Sequence, residues 1–204
     1  MRKNNLAFID TETTGFGIER HEIIQIGCVI VRQVERADKG PEVEVVEEFE
    51  IKVKPMRIET ADRGALKVNG YNALEWKSAI PIKDALLILI EKARDAIMVG
   101  HNVAFDDAFL RKAFEDEGIR NTMHYHKIDT ISLAFALLYD NPKVQKFSLQ
   151  ALCEHFGIDN KNAHTALSDA RATFELYKRL LGLKGAAAAL PPTTAELFAI
   201  PSNT

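Results

Sequence analysis

Two carboxylates, Asp10 and Glu12, stand two residues apart where the apolar start of AFIDTETTGF (Ala7–Phe16) gives way to polar residues. On an extended strand, residues i and i+2 project from one face, so both acids point the same way and Thr11 points the other. Like charges this close repel, and the pair is tolerated where a cation neutralises it or where one acid keeps its proton. As a charged strand end beside a turn it would need no chemistry at all, so the reason for it has to come from the rest of the chain.

A third acid, Asp106 in VGHNVAFDDAFL, falls in the first turn of a helix that follows the short apolar run Ala96–Gly100. The start of a helix favours an anion. Asp107 is expected to face solvent, and Asn102 either orders the loop before the helix or lies near a bound substrate. A fourth acid, Asp169, follows His164 by five residues in NAHTALSDARATFELY. Five residues turn through about 140° of an ideal helix, so Asp169 points from the helix while His164 must reach the same place from the loop or first turn ahead of it.

Four acids at strand ends and helix starts can converge on one edge of a sheet. Oxygen donors suit hard cations such as Mg²⁺ or Mn²⁺, whereas zinc prefers His and Cys. Asp10, Glu12, Asp106 and Asp169 are therefore the expected ligands of two divalent cations, which at a separation of about 3.5 to 4 Å serve in-line displacement at phosphorus. A neutral imidazole near pH 7 accepts a proton from an attacking water, which makes His164 the expected general base. Other schemes find no support: G-x-S-x-G is absent, neither cysteine lies in a polar or glycine-rich turn, and there is no glycine-rich phosphate loop.

The elements that must carry these residues follow from periodicity. Leu6–Ile9 reads as a short strand and Glu22–Gln33 as a longer one with apolar residues on both faces. A charged turn, ERADKGPE, leads to FEIKVK, where Phe49, Ile51 and Val53 alternate with charges, so the first three strands form a meander. Ile82, Ala85, Leu86, Leu89, Ile90 and Ala93 follow helical spacing, Ala96–Gly100 reads as a buried strand, and Phe105, Phe109, Leu110, Ala113 and Phe114 share a helical face that Gly118 ends. KIDTISLAFALL is a strand turning into a helix capped by Asp129 or Thr130, and Ser148 and Gly157 bracket another helix. The last helix spans about Ala166 to Leu181. The fold class is α/β, a mixed sheet flanked by helices.

The 204 residues, 47% hydrophobic and 27% charged, fit one domain, expected at 1–183, followed by a flexible tail over 184–204 that is rich in Ala and Pro. A formal charge of -3 excludes a protein that coats nucleic acid through a broad basic surface. Cys28 and Cys153, the two cysteines, are expected core thiols of a reducing compartment, and no window approaches the length of a membrane span, which predicts a soluble cytoplasmic protein.

FIDTETTG, HNVAFD and HTALSDA, in that order, resemble the three motifs of the DEDD family of 3′–5′ exonucleases in its histidine-containing variant. ALKVNGY, IDTISLA and FSLQALCEHFGI are similar to segments between them, and the likeness, over about residues 5–182, leans toward the epsilon proofreading subunits of bacterial DNA polymerase III. The resemblance implies a ribonuclease-H-like fold and an active enzyme that removes nucleotides from 3′ ends with two divalent ions held by Asp10, Glu12, Asp106 and Asp169, with His164 activating water. It sets the turn after the first motif against the terminal nucleotide, which makes Thr13, Thr14 and Phe16 candidate substrate contacts, while Phe105 either stacks on a base or packs in the core. Asn69 stands where many relatives carry a His before the Gly.

The expected substrate is the 3′ end of single-stranded DNA, in proofreading or repair. RNA or a short oligoribonucleotide is the alternative, because that choice turns on whether a 2′-hydroxyl is accepted. A third reading is a docking subunit for a polymerase or its sliding clamp. TAELF, Thr194–Phe198, is similar to short clamp-binding peptides, with Thr194 in place of the Gln that opens them.

Overall fold

The computed structural model describes residues 3–36, 40–160 and 163–187. One mixed sheet runs in the order β3-β2-β1-β4-β5, from β1 (Leu6–Thr13), β2 (Ile23–Arg36), β3 (Gly40–Lys52), β4 (Ile97–Gly100) and β5 (Lys127–Asp129). The first three strands are an antiparallel meander, and β4 and β5 continue the sheet parallel to β1. The helices are α1 (Arg63–Val68), α2 (Ile82–Lys92), α3 (Val103–Asp116), α4 (Thr130–Leu138), α5 (Leu149–Phe156) and α6 (Ala166–Ala187).

Alternate residues of β1 enter different cores. Ala7 and Ile9 pack with Leu86 and Leu89 of α2 and Phe109 and Leu110 of α3. Leu6 and Phe8 pack on the opposite face with Ala170, Phe174 and Tyr177 of α6, the Phe8 ring lying 5.0 Å from Phe174 and 5.4 Å from Tyr177. Full burial of one such side chain contributes roughly 1.5–3 kcal/mol. The register of β1 is therefore strongly specified, since a slip by one residue would turn both sets around and drive Asp10 into the α2/α3 core. A third cluster joins α4 and α5 to the far side of α6.

The stop and cap signals hold. Gly118 and Gly157 adopt left-handed φ values of 63° and 64° after α3 and α5, Asp129 accepts from the N–H groups of Ile131 and Ser132 at the head of α4, and Ser148 accepts from Ala151 N–H at the head of α5. Four elements differ from the sequence reading. β1 continues past Ile9 through both acids to Thr13, because β2 pairs with it along that whole length. β3 begins at Gly40, well before Phe49, because β2 pairs with it from Gln25 to Arg36 with one register shift at Ile30/Val31, and α1, capped by the Asp62 carboxylate, has no counterpart in the sequence reading. α6 runs on to Ala187, since alanine and leucine, read as tail composition, are the strongest helix formers. TAELF lies outside the described residues. Among those described, no helix is long and apolar enough to cross a membrane, and Cys28 and Cys153 are buried and unpaired.

Candidate active site

Asp10 and Glu12 share the β1 face that α6 covers, and the strand beside them fixes how that helix sits. In the β1–β2 register Asp10 lies opposite Gly27 and Glu12 opposite Gln25. The buried Gln25 side chain accepts a hydrogen bond from the Ala166 N–H at 3.0 Å, holding the first residue of α6 to β2 across 141 positions of sequence. Gly27 has no room for a side chain: a Cβ there would stand 2.1 Å from the Ala166 carbonyl carbon and 2.2 Å from the Leu167 nitrogen. This close approach puts Asp169, in the first turn of α6, beside Asp10 and Glu12. Sequence reasoning missed both residues, although a Gln and a Gly inside an otherwise apolar strand were the signal.

Thr11 points to the opposite face, as its parity requires, and there it holds the third acid. Its N–H and its hydroxyl both donate to Asp106 Oδ1, at 2.8 and 2.7 Å. Asp106 is buried in the first turn of α3. The start of that helix is tied to β5, because Asp129 Oδ2 accepts from the Val103 N–H at 3.0 Å while its other oxygen caps α4. Asn102 precedes α3 in a left-handed conformation, φ 67°, and its exposed side chain makes no capping bond. Asp107 is a correction: it is buried, not solvent-facing, and pairs with Arg111 at 2.7 Å and with Lys127 at 3.1 Å, bracing α3 against β5.

His164 also adopts a left-handed φ, 70°, a conformation that costs a non-glycine residue ~1 kcal/mol or more and that clusters at functional positions. Its N–H donates to Asp169 Oδ2 at 3.1 Å, and Asn160 Nδ2 donates to Asp169 Oδ1 at 3.0 Å. The Ser168 hydroxyl in turn donates to Asn160 Oδ1. One ligand atom from each of Glu12, His164 and Asp169 lies within 4.8 Å of the others. The exposed His164 thus reaches the carboxylates from the loop ahead of α6, as the helical angle demanded.

The turn after the acids is held from several sides. Thr13 Oγ1 donates to the Gly15 carbonyl at 2.8 Å, and Thr14, fully buried, accepts from the Glu22 N–H through its hydroxyl at 2.9 Å. Asn69, also buried, donates to the Thr13 carbonyl at 3.0 Å and so ties the end of α1 to this turn. Phe16 is left 85% exposed, edge-on to Phe105 at 6.1 Å. Phe105 is partly buried and packs on Phe109 at 5.0 Å, so it joins the core to the open side of the turn.

The acids cannot all be ionised comfortably. Burial first, then the carboxylates of Asp106, Asp169 and Glu12, holds Asp10 well above the usual carboxylate range. Burial, then Asp169 and Asp106, pushes Glu12 up to about 8. Burial pushes Asp106 up to about 7 against the lowering effect of the Thr11 hydrogen bonds. Clustered hard oxygen donors, short of positive charge and half-open to solvent, fit divalent cations.

A stability prediction follows from these shifts. From about pH 4 up to about pH 7 for Asp106 and about pH 8 for Glu12, the metal-free fold keeps protons that the unfolded chain has lost, so stability falls as pH rises through that window. The slope is about 1.4 kcal/mol per pH unit for each such group. Thermal unfolding at pH 5.5, 7 and 8.5 with chelator should show this decline, and Mg²⁺ or Mn²⁺ should raise the melting temperature most at pH 8.5. Equal stabilisation at all three values would mean that the cation does not bind at these acids.

A mixed sheet in this order, with acids gathered at the carboxyl ends of its central strands, defines a ribonuclease-H-like α/β protein. The chain belongs to the exonuclease family, whose model matches residues 7–177. Ribonuclease T of Hahella chejuensis is 32% identical over 183 residues, covering 83% of this chain and 79% of that one. The epsilon subunit of DNA polymerase III of Aquifex aeolicus is 28% identical over 176 residues, 85% of this chain and 78% of that one. The PolC-type DNA polymerase III of Clostridium perfringens is 31% identical over 172 residues, 83% of this chain but 11% of the polymerase, so this chain spans about a tenth of that relative. Among solved structures, E. coli Exonuclease I in complex with a dT13 oligonucleotide superposes with a TM-score of 0.73 at 20% identity, over 91% of this chain and 42% of that one. That likeness carries the fold. Members of the exonuclease family normally work with divalent metals, and one structure of E. coli Exonuclease I with single-stranded DNA is a zinc-bound form.

Proposed function

We propose that this protein is a metal-dependent 3′–5′ exonuclease that hydrolyses the terminal phosphodiester bond of single-stranded DNA and releases nucleoside monophosphates. The observation that carries the reading is the set of four acids brought together by β1, α3 and α6, with Asp10, Glu12 and Asp106 raised in pKa first by burial and then by nearby carboxylates, beside an exposed imidazole. Asp10, Glu12, Asp106 and Asp169 would hold two cations of the Mg²⁺ or Mn²⁺ type. When bound, these supply positive charge to the attacking and leaving oxygens of an in-line displacement at phosphorus. His164 takes the proton of the attacking water, and the bond from phosphorus to the 3′ oxygen of the preceding nucleotide breaks, leaving that oxygen to be protonated as the new 3′ hydroxyl. Thr13, Thr14 and Asn102 shape the turns that face the terminal nucleotide, while Phe16 and Phe105 offer ring surface to its base.

RNA is the second reading, favoured by the likeness to ribonuclease T over most of that protein. The test is a ladder assay with 5′-labelled DNA and RNA of one sequence, in Mg²⁺, in Mn²⁺ and in chelator. Metal-dependent shortening of DNA from its 3′ end supports the proofreading or repair role, shortening of RNA alone moves the protein to RNA processing, and no product on either overturns the exonuclease reading.

The likeness to epsilon and PolC-type proteins supports association with a polymerase, and residues 184–204 are the proposed docking tail, with Thr194–Phe198 as a sliding-clamp contact. Truncation before Leu190 is expected to leave hydrolysis of free oligonucleotides within about twofold, because the truncated segment lies beyond α6 and the acids. Co-purification with polymerase or clamp should be lost. A truncated protein that keeps its partner would remove the tail from the docking role.

A further inference from the structure

The surface of α4 and the segment after it has no part in the arrangement above. Phe135 is 51% exposed and Tyr139, one turn on, 72% exposed. The Phe135 ring lies 5.4 Å from Tyr139 and 5.4 Å from Phe147, so the two exposed rings are contiguous with Phe147, which is partly buried against the cluster that joins α4, α5 and α6. Lys143 and Lys146 are exposed in the loop between them, and among the described residues neither makes an ion pair. Asp140 is the single acid from Tyr139 to Phe147.

This surface begins at the same sheet edge as the acids. His101, directly after β4, donates from Nε2 to the Phe147 carbonyl at 2.9 Å, and its Nδ1 lies 3.0 Å from Thr130 Oγ1 at the head of α4. The Thr130 hydroxyl is also 3.1 Å from the Gly100 carbonyl. Phe147 is thereby fixed against the turn that leads into α3 and Asp106, and the aromatic surface continues outward from there.

We propose that Phe135, Tyr139 and Phe147, with Lys143 and Lys146, form a track for the stretch of single-stranded nucleic acid lying 5′ of the bond being cut. The inference rests on the exonuclease reading and extends it from the terminal nucleotide to the trailing strand. Ring faces bind any base by stacking, and lysines with no ion pair among the described residues can meet phosphates. That pairing is the chemistry of a single strand, whereas a purely apolar protein partner would leave two desolvated ammonium groups unmatched. A locally basic, aromatic track also gives a chain of net charge -3 a means to hold a polyanion.

The test compares a trinucleotide with a 15-mer, as DNA and as RNA, for the wild type, for Phe135→Ala/Tyr139→Ala and for Lys143→Gln/Lys146→Gln. The aromatic double variant is expected to raise KM for the 15-mer about tenfold or more with kcat unchanged, and to leave the trinucleotide unaffected. The lysine variant should reduce the salt dependence of log KM for the 15-mer by about 0.7 for each phosphate that is no longer neutralised. Equal losses on both lengths, no change on either, or a defect confined to binding a protein partner would each overturn the proposal. If the wild type cuts neither substrate, the exonuclease reading fails by itself, and binding of a fluorescent 15-mer to the same variants still decides whether the track exists.

Discussion

Asp10→Asn is expected to lower kcat on an oligonucleotide by on the order of 10³ or more while making the metal-free protein more stable at pH 8. Both effects have one origin. Asp10 sits among Asp106, Asp169 and Glu12, and burial together with those three carboxylates disfavours its charge. The amide keeps the shape of the side chain and removes the charge, so repulsion is relieved in the fold at the same moment that a cation loses its central ligand. An increment of 1 kcal/mol corresponds to about 2–4 °C for a chain of this size, so a rise of a few degrees in chelator is the expected sign. Added Mg²⁺ should then stabilise the variant less than the wild type. Activity within tenfold of the wild type would remove Asp10 from the machinery, and a lowered melting temperature would show that the acids are not in conflict.

Gly27→Ala is the second large effect, at a residue that carries no chemistry. Its new methyl group would meet the backbone of Ala166 and Leu167 at 2.1 to 2.3 Å, and backbone cannot swing aside as a side chain can. The start of α6 must lift from β2, carrying Asp169 away from Asp10 and straining the bond from Ala166 N–H to Gln25. A displacement of about 1 Å in a reacting group costs on the order of 10² in rate. The overpacking itself costs about 1–3 kcal/mol. Gly182→Ala serves as the control: it lies on α6 with open space around its Cβ, so it should leave activity unchanged and add up to ~1 kcal/mol of stability. Rate constants and melting temperatures of the two variants, measured side by side, check the argument. If Gly27→Ala retains full activity, the seating of α6 on β2 does not position Asp169.

Much of the frame is written in local pattern. Period-two alternation predicts the meander, helical spacing predicts α2 and α3, and Gly118, Asp129, Ser148 and Gly157 end or cap helices where their chemistry requires. Local pattern fails where pairing at a distance decides. β1 stops at Ile9 by hydrophobicity but runs to Thr13 because β2 supplies its hydrogen bonds, which carries the strand through both acids and keeps them on the common face that their spacing requires. Asp107 reads as a surface acid beside Asp106 until Lys127, twenty positions on, reaches it from β5.

The sequence by itself determined which residues carry oxygen donors, that Asp10 and Glu12 face one way and Thr11 the other, and that His164 approaches Asp169 from outside the helical stripe. Strand and helix geometry are local, so spacing alone suffices for these. Only the tertiary structure decided that Thr11 holds Asp106 from the far face, that Gln25 and Gly27 seat α6, that Asn160 orients Asp169 and that Asn69 secures the turn at Thr13. Most of these join segments far apart in sequence that the packing of two cores on one sheet brings together, and no periodicity along the chain records which group a side chain will meet.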